Sequence, residues 1–454
     1  MNAPRCGKYM RTVLLNCGPI AHLDSGEGGA LLGSMVDEVE FMVSENSGIV
    51  IVGDKIERIA ESSELESEYL EGVLGVNDKP SIIQDGLETT VWNISGHAVI
   101  PGFVDAHTHL LWAGDRSGEV MLRQQGFSYS QIAEMGGGIA HTVHSTRASP
   151  DQEMLNLGRQ RMATALHYGT TMIEAKSGYG LDTESELRLL RIAKELAREE
   201  GLPNLDLTWL GAHAAPPSAD AKSEENKLQS YVEEIISEQL PAVLEQGLAR
   251  SADVFCEPGW FTVEQTEEIC SAANSGGLDI RLHVDEFCDG GGMQLASDMA
   301  ATTADHAHHS PLDSRLAAKK SGTLQGFLLG TPHVMGDSMP PVSTCIENRI
   351  AFTIATDFNP NCHTLSMPFI GSLAVQRCGI DPLTSLVAAT RNPATGVVRD
   401  DGLEQGVLKS GAVANINILK SNNWESWCLQ PGVSPIHHTF LSGKPVTAER
   451  MLNL

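Results

Sequence analysis

The stretch PGFVDAHTHLLWAGDR, Pro101–Arg116, decides how the rest of the chain is read. An apolar run ends in two histidines one residue apart, in a chain that holds only 16 His among 454 residues. Side chains at i and i+2 of a strand point the same way, so His107 and His109 would offer two imidazoles to one point at that strand's end. Alone, such a pair is more often surface histidines at a turn than a metal pincer, and the weight falls on what the chain places beside it.

Beyond Arg116 the pattern alternates helices with strands, as a parallel sheet requires because each crossover needs a covering helix. Ser149 reads as the cap of a helix whose first residue is Pro150 and which runs through Leu155, Met162 and Leu166 to near Gly169. TTMIEAK, Thr170–Lys176, reads as a strand, and Thr183 with Glu186 as a capping box ahead of Leu189, Ile192, Ala193 and Leu196. LTWLGAH follows as the next strand, and 216–247 reads as a loop plus an amphipathic helix. Candidate strands end near His109, Lys176, His213, Glu257, His283, His306, Gly330 and Asp357, and eight is the number that closes a (β/α)8 TIM-type barrel. The strands read as apolar in their bodies and polar at their ends, where such barrels build their sites. His107, His109, His213, His283, His306 and Asp357 are therefore expected to converge.

Both flanks have a different texture. Short alternating pieces such as IVIVGDKIERIA, Ile49–Ala60, and GVLKSGAVANINIL, Gly406–Leu419, read as small antiparallel strands. The expected organisation is an α/β chain: a barrel over 99–400, with 1–98 and 401–454 together building one small β-sandwich. The acidic run ESSELESEYLEG, Glu61–Gly72, reads as a water-facing helix or loop. No fixed-period repeat is seen.

Composition narrows the partners. Lys and Arg, 31, against Asp and Glu, 58, leave a net charge of −27, which repels phosphate backbones and anionic lipid and predicts no nucleic-acid partner. Hydrophobic residues, 41%, suffice for a large core without an apolar run of membrane length. Nine Cys without a CxxC pair, and no leader-like h-region, read as a reducing, cytoplasmic setting with no membrane anchor.

A divalent ion held by neutral imidazoles and one carboxylate, with an open position, lowers the pKa of water to about 7. His107, His109, His283 and Asp357 form the expected ligand set for one ion per chain, and nitrogen and oxygen donors suit zinc or iron, divalent or trivalent. Glu286, three residues after His283, is placed to shuttle protons, and His306 to polarise a carbonyl oxygen. His308 and His309 are close neighbours of the functional candidate, but only His306 directly follows the ATTAD segment.

HTHLLWAGDR, QGFSYSQIAEMGGGI, KSGYGL, WLGAHAAPP, HVDEF and ATDFNPN, in this order, resemble the imidazolonepropionase family of the amidohydrolase superfamily, from about residue 98 to 400. HxH marks only the superfamily, whereas KSGYGL and the coupling of GDR to QGxSY are specific to the family. The resemblance implies hydrolysis of the cyclic amide C–N bond of 4-imidazolone-5-propanoate to N-formimino-L-glutamate, in histidine degradation. It implies a mononuclear site, a small-molecule substrate bearing a carboxylate, and a homodimer. Residue by residue, it implies that Arg116 clamps the propionate, that Tyr129 and Tyr179 line the pocket, and that His213 contacts the imidazolone ring. It further implies that Glu286 bonds the ring nitrogen and that Asn359, Asn361 and His363 touch the substrate. Glu286, Asp357 and His306 all stand as candidates to deliver the proton to the leaving nitrogen. The fourth strand, ADVFCE, offers no lysine for carboxylation, so Lys176, on the second, is expected to be structural or to support the ligands. After Asp357 the chain reads DFNPNCHTLSMP rather than the NPG form of many bacterial members, so the substrate contacts of Asn361 and His363 depart from the family pattern.

Two other readings compete. A deaminase on the same scaffold shares HxH, HxxE, a sixth-strand His and an eighth-strand Asp; Arg116, Tyr129 and Tyr179 favour a carboxylate-bearing substrate instead. A non-catalytic barrel serving as a binding protein is opposed by the presence of all four ligands and Glu286.

Overall fold

The structure is a computed structural model, and it describes residues 10–70, 81–84, 87–127, 131–132, 135–216 and 224–446. Eight parallel strands follow one another in chain order around a single sheet. They are β1 Phe103–Thr108, β2 Thr170–Lys176, β3 Asn204–Ala212, β4 Ser251–Cys256, β5 Asp279–Val284, β6 Thr303–His306, β7 Leu324–Phe327 and β8 Phe352–Ile354. The ring closes just beyond β8. Thr108 bridges Phe358 in parallel, His109 N–H donates to Phe358 O at 2.9 Å, and Asp357 N–H donates to His107 O at 3.1 Å. Closure therefore occurs at the ends that carry the histidines.

Two further sheets form a separate β domain. One, ordered Lys55–Glu61, Ser47–Val52, Met10–Leu15, Leu87–Asn93 and Ser81–Gln84, comes wholly from the N-terminal part. The other joins Ile436–Leu441 and Ile416–Leu419 to Val99–Pro101 and Ile20–Ala21. Ile49, Ile51 and Ile56 from the first share one apolar cluster with Val99, Ile416, Ile418 and Phe440 from the second. Burying these inner faces against each other gives the sandwich its core. The acidic run is a helix, Ser62–Leu70, that turns Leu65 and Tyr69 inward.

Some local expectations need correction. Ser149 does not cap the following helix: its hydroxyl donates to Ser145 O, and the helix Asp151–His167 starts from Pro150, whose ψ of 152° is extended. The capping box at Thr183 is absent because Asp182 is the cap, accepting from Ser185 N–H at 2.7 Å, while Glu186 turns back toward the preceding loop. The described part of 216–247 is one helical run, Glu224–Glu234 and Leu240–Gln246, widened between them by a π turn over Ile235–Gln239. Pro241 explains the widening, since a proline ring clashes with the carbonyl one turn back in a regular helix. The strand bodies are also not uniformly apolar. Asp105, Glu174, Asp206, Asp253, Arg281 and Asp305 are all buried in them, and their partners make sense only once the ring is closed.

Candidate active site

His107 lies in the last two residues of β1, His109 directly follows it, His283 lies in β5, and Asp357 follows β8. Their polar atoms meet. His107 Nε2 is 3.7 Å and His109 Nε2 3.6 Å from Asp357 Oδ1, and the Nε2 atoms of His109 and His283 are 3.3 Å apart. Metal–nitrogen bonds of about 2.0–2.1 Å in tetrahedral array separate ligand atoms by about 3.4 Å, so these spacings fit one ion. His107 Nε2 is buried without a hydrogen-bond partner. Two facing imidazole nitrogens can share only one proton, and a cation satisfies all of these lone pairs together. His107, His306 and Asp357 form a second, overlapping group, which places His306 beside the same point.

Behind these rings lies a buried polar layer. His107 Nδ1 faces Asp305 Oδ2 at 2.8 Å and His283 Nδ1 faces Asp253 Oδ1 at 3.0 Å. Carboxylates accept, so each Nδ1 carries the proton and each Nε2 is turned inward as a lone pair. Lys176 Nζ lies 2.7 Å from Asp253 Oδ2 and 2.9 Å from Glu174 Oε1, all three side chains being excluded from solvent. Burial, reinforced by the nearby Lys176 ammonium, holds His107 well below the ordinary imidazole range; burial and the neighbouring His213 and His283 do the same for His109. Both are neutral and competent as ligands. Burial pushes the Asp253 carboxyl up, but His283 and Lys176 outweigh it and hold it below the usual carboxylate range.

Above the ring nitrogens opens a pocket whose wall includes Arg116, Tyr179, His213, Glu286, His306, Thr331, Asn359 and Asn361. Arg116 is buried and gripped by Glu119, Nε and Nη2 each donating at 2.8 Å. Glu286 Oε2 stands 3.5 Å from His306 Nε2. Burial, then the charges of Asp357, Glu257 and Asp337, push the Glu286 carboxyl well above the carboxylate range. Burial raises Asp357 to about 6, a cost that a bound cation reverses. Thr331 donates its hydroxyl to Asp357. At the strand ends His306 and Asp357 adopt φ of 66° and 48°. Such left-handed turns are uncommon outside glycine, and they aim both side chains inward where β6 and β8 leave the barrel.

The remaining candidates fall differently. Tyr129 lies outside the described residues. Asn361 accepts from Arg123 Nη1 at 3.1 Å at the cavity wall. Asn359 accepts from the N–H groups of Asn361 and Cys362 and so shapes that turn. His363 is exposed, its ring beside Trp112, and is not among the described residues lining the cavity. Glu119, Thr331, Trp260, Phe287 and the buried Asp253 and Asp305 were not anticipated. A charged residue inside an otherwise apolar strand was the available signal for the last two.

No family model matches the chain. It is 39% identical over 337 residues to the imidazolonepropionase of Shewanella sediminis, covering 73% of this chain and 80% of that protein. It is 35% identical over 396 residues to the imidazolonepropionase of Haloarcula marismortui, covering 87% and 88%. Among solved structures, an adenosine deaminase from Xanthomonas campestris with bound zinc is similar in fold, with a TM-score of 0.62 at 14% identity over 97% of this chain and 94% of that one.

Proposed function

The chain belongs to the imidazolonepropionase family, an enzyme on the amidohydrolase barrel, and on that premise we propose that it hydrolyses 4-imidazolone-5-propanoate to N-formimino-L-glutamate in histidine degradation. The observation that carries this reading is the meeting of three imidazoles and one carboxylate beneath a cavity with a buried arginine on its wall. His107, His109, His283 and Asp357 would hold one zinc or iron ion. Bound there, such an ion supplies Lewis acidity and an activated water.

The chain's own groups do the rest. Arg116, held rigid by Glu119, takes the propionate, for which a planar guanidinium is well shaped. Tyr179 and His213 wall the ring. His306, kept neutral chiefly by burial, polarises the ring carbonyl oxygen. Water adds across the C–N bond, its oxygen going to the carbonyl carbon and one proton to the departing nitrogen. Glu286, whose carboxyl burial pushes well above the carboxylate range, relays that proton from the water to the nitrogen.

The test is loss of the imidazolone ultraviolet absorbance with freshly generated substrate, with metal content measured in parallel. Wild-type protein is expected to turn over, and Arg116→Ala to raise KM roughly 10- to 100-fold, the worth of a charge-assisted contact, with kcat much less changed. Undiminished kcat/KM in that variant would remove the clamp. Ammonia release from a nucleobase panel, without imidazolone turnover, would replace the reading with a deaminase.

A further inference from the structure

The loop Ser177–Leu181 carries Tyr179 into the cavity, and it is wrapped around one buried carboxylate. Glu186, fully excluded from solvent, accepts the Gly178 N–H on Oε2 at 3.0 Å and the N–H groups of Gly180 and Leu181 on Oε1 at 2.7 and 2.8 Å. The fit is tight: a Cβ on Gly180 would lie 2.7 Å from Glu186 Oε1, and Gly178 holds a φ of +97°. Leu181, with φ 53°, is kept in the left-handed region by the same carboxylate. Neither the helix Thr183–Leu196 nor its cap needs Glu186 for this, since Asp182 is the cap.

Gly178 also meets His213, which lines the cavity. Its carbonyl lies 2.8 Å from His213 Nδ1. A carbonyl can only accept, so Nδ1 carries the proton and His213 presents Nε2 as a bare acceptor. Burial, with His283 nearby, holds His213 down to about 3, so the ring stays neutral. The N–H and C=O of Gly178 belong to successive peptide groups joined at its Cα, so the carboxylate and the imidazole are linked through the backbone geometry of this one residue. The Tyr179 ring, 5.1 Å from His213, is carried by the same turn.

We propose that Glu186 is a positioning residue for substrate binding: by holding Gly178 in place it fixes the Nδ1–H tautomer of His213 and the placement of Tyr179, so that the cavity offers an acceptor to an N–H of a small heterocycle. The proposal rests on the family reading only for the identity of that heterocycle.

Glu186→Gln tests it. One amide oxygen can still serve Gly180 and Leu181, but the NH2 group would then confront the Gly178 N–H and release that peptide. The expected result is a KM for imidazolonepropanoate raised roughly tenfold or more, with kcat and bound metal close to wild type. In ring-15N-histidine spectra, the His213 signals, assigned by their loss in His213→Gln, should leave the single Nδ1–H pattern for tautomer-averaged positions. Glu184→Gln, an exposed neighbour on the same helix, should change neither. A folded Glu186→Gln protein with wild-type KM and an unmoved His213 pattern overturns the proposal, as does loss of metal with kcat at unchanged KM. If that variant does not fold, Gly180→Ala pushes the loop off the carboxylate without removing charge, and the same readouts decide. If wild-type protein does not turn over imidazolonepropanoate, the family reading of the substrate fails by itself, and the nitrogen signals still decide the role of Glu186.

Discussion

Lys176 sits where an unpaired ammonium would be intolerable, and its two carboxylate partners lie on β2 and β4, strands paired with those that carry His107 and His283. Its contacts with Asp253 and Glu174, 2.7 and 2.9 Å, fix Asp253, which in turn orients His283. Lys176→Met keeps most of the volume but leaves two buried carboxylates facing each other. The expected cost is about 3–5 kcal/mol of stability. Because a ligand loses its orienting partner, metal affinity should also fall by roughly 10- to 100-fold, read by competition with a chromophoric chelator. A variant that holds metal as tightly as wild type would show that His283 is oriented by packing alone. The meeting of His107, His109, His283 and Asp357 was legible in the sequence because they stand at or near the ends of apolar runs. The roles of Asp253 and Asp305, and the partners of Lys176, were not, since a single charge within a strand gives no hint of which strand it faces.

Elements were legible wherever periodicity and turn residues agreed, and β2 spans Thr170–Lys176 as its pattern predicts. Helix starts were less so. Ser149–Pro150 and Asp182–Thr183 each offer two adjacent capping residues, and the choice between them depends on where the rest of the chain needs the side chains. The entry to β1 shows a constraint of another kind, hidden in the PGF of the opening stretch. Gly102 donates to Asn415 O of the small domain at 2.9 Å, and a Cβ there would lie 2.3–2.9 Å from the side-chain atoms of Thr171 on β2. Thr171 is buried, so it has little room to move. Gly102→Ala should therefore destabilise by about 1–3 kcal/mol in urea titrations, as overpacking does. Thr171→Ala should recover much of that loss in the double variant, and additive effects in the cycle would mean that the two sites do not press on each other.

Across the whole molecule the charge balance is the property that neither the barrel nor the site explains. A net charge of −27 spreads over a surface whose ion pairs, such as Arg191 with Asp151 and Lys194 with Asp400, are exposed and worth little each. Repulsion among the uncompensated acids acts over longer distances and opposes the compact state. Raising monovalent salt from about 0.05 to 1 M shortens the screening length to about 3 Å, which weakens both terms. The exposed pairs lose a small favourable contribution, while the excess of acids loses a larger unfavourable one. The buried pairs of Lys176 and of Arg116 with Glu119 are shielded from solvent and change least. The sign is therefore fixed: the apparent Tm at neutral pH should rise with sodium chloride, most steeply at the low end of the range, at constant bound metal. Calorimetry at matched scan rates checks it, and a Tm that stays flat or falls would mean that attractive surface pairs outweigh the acidic excess.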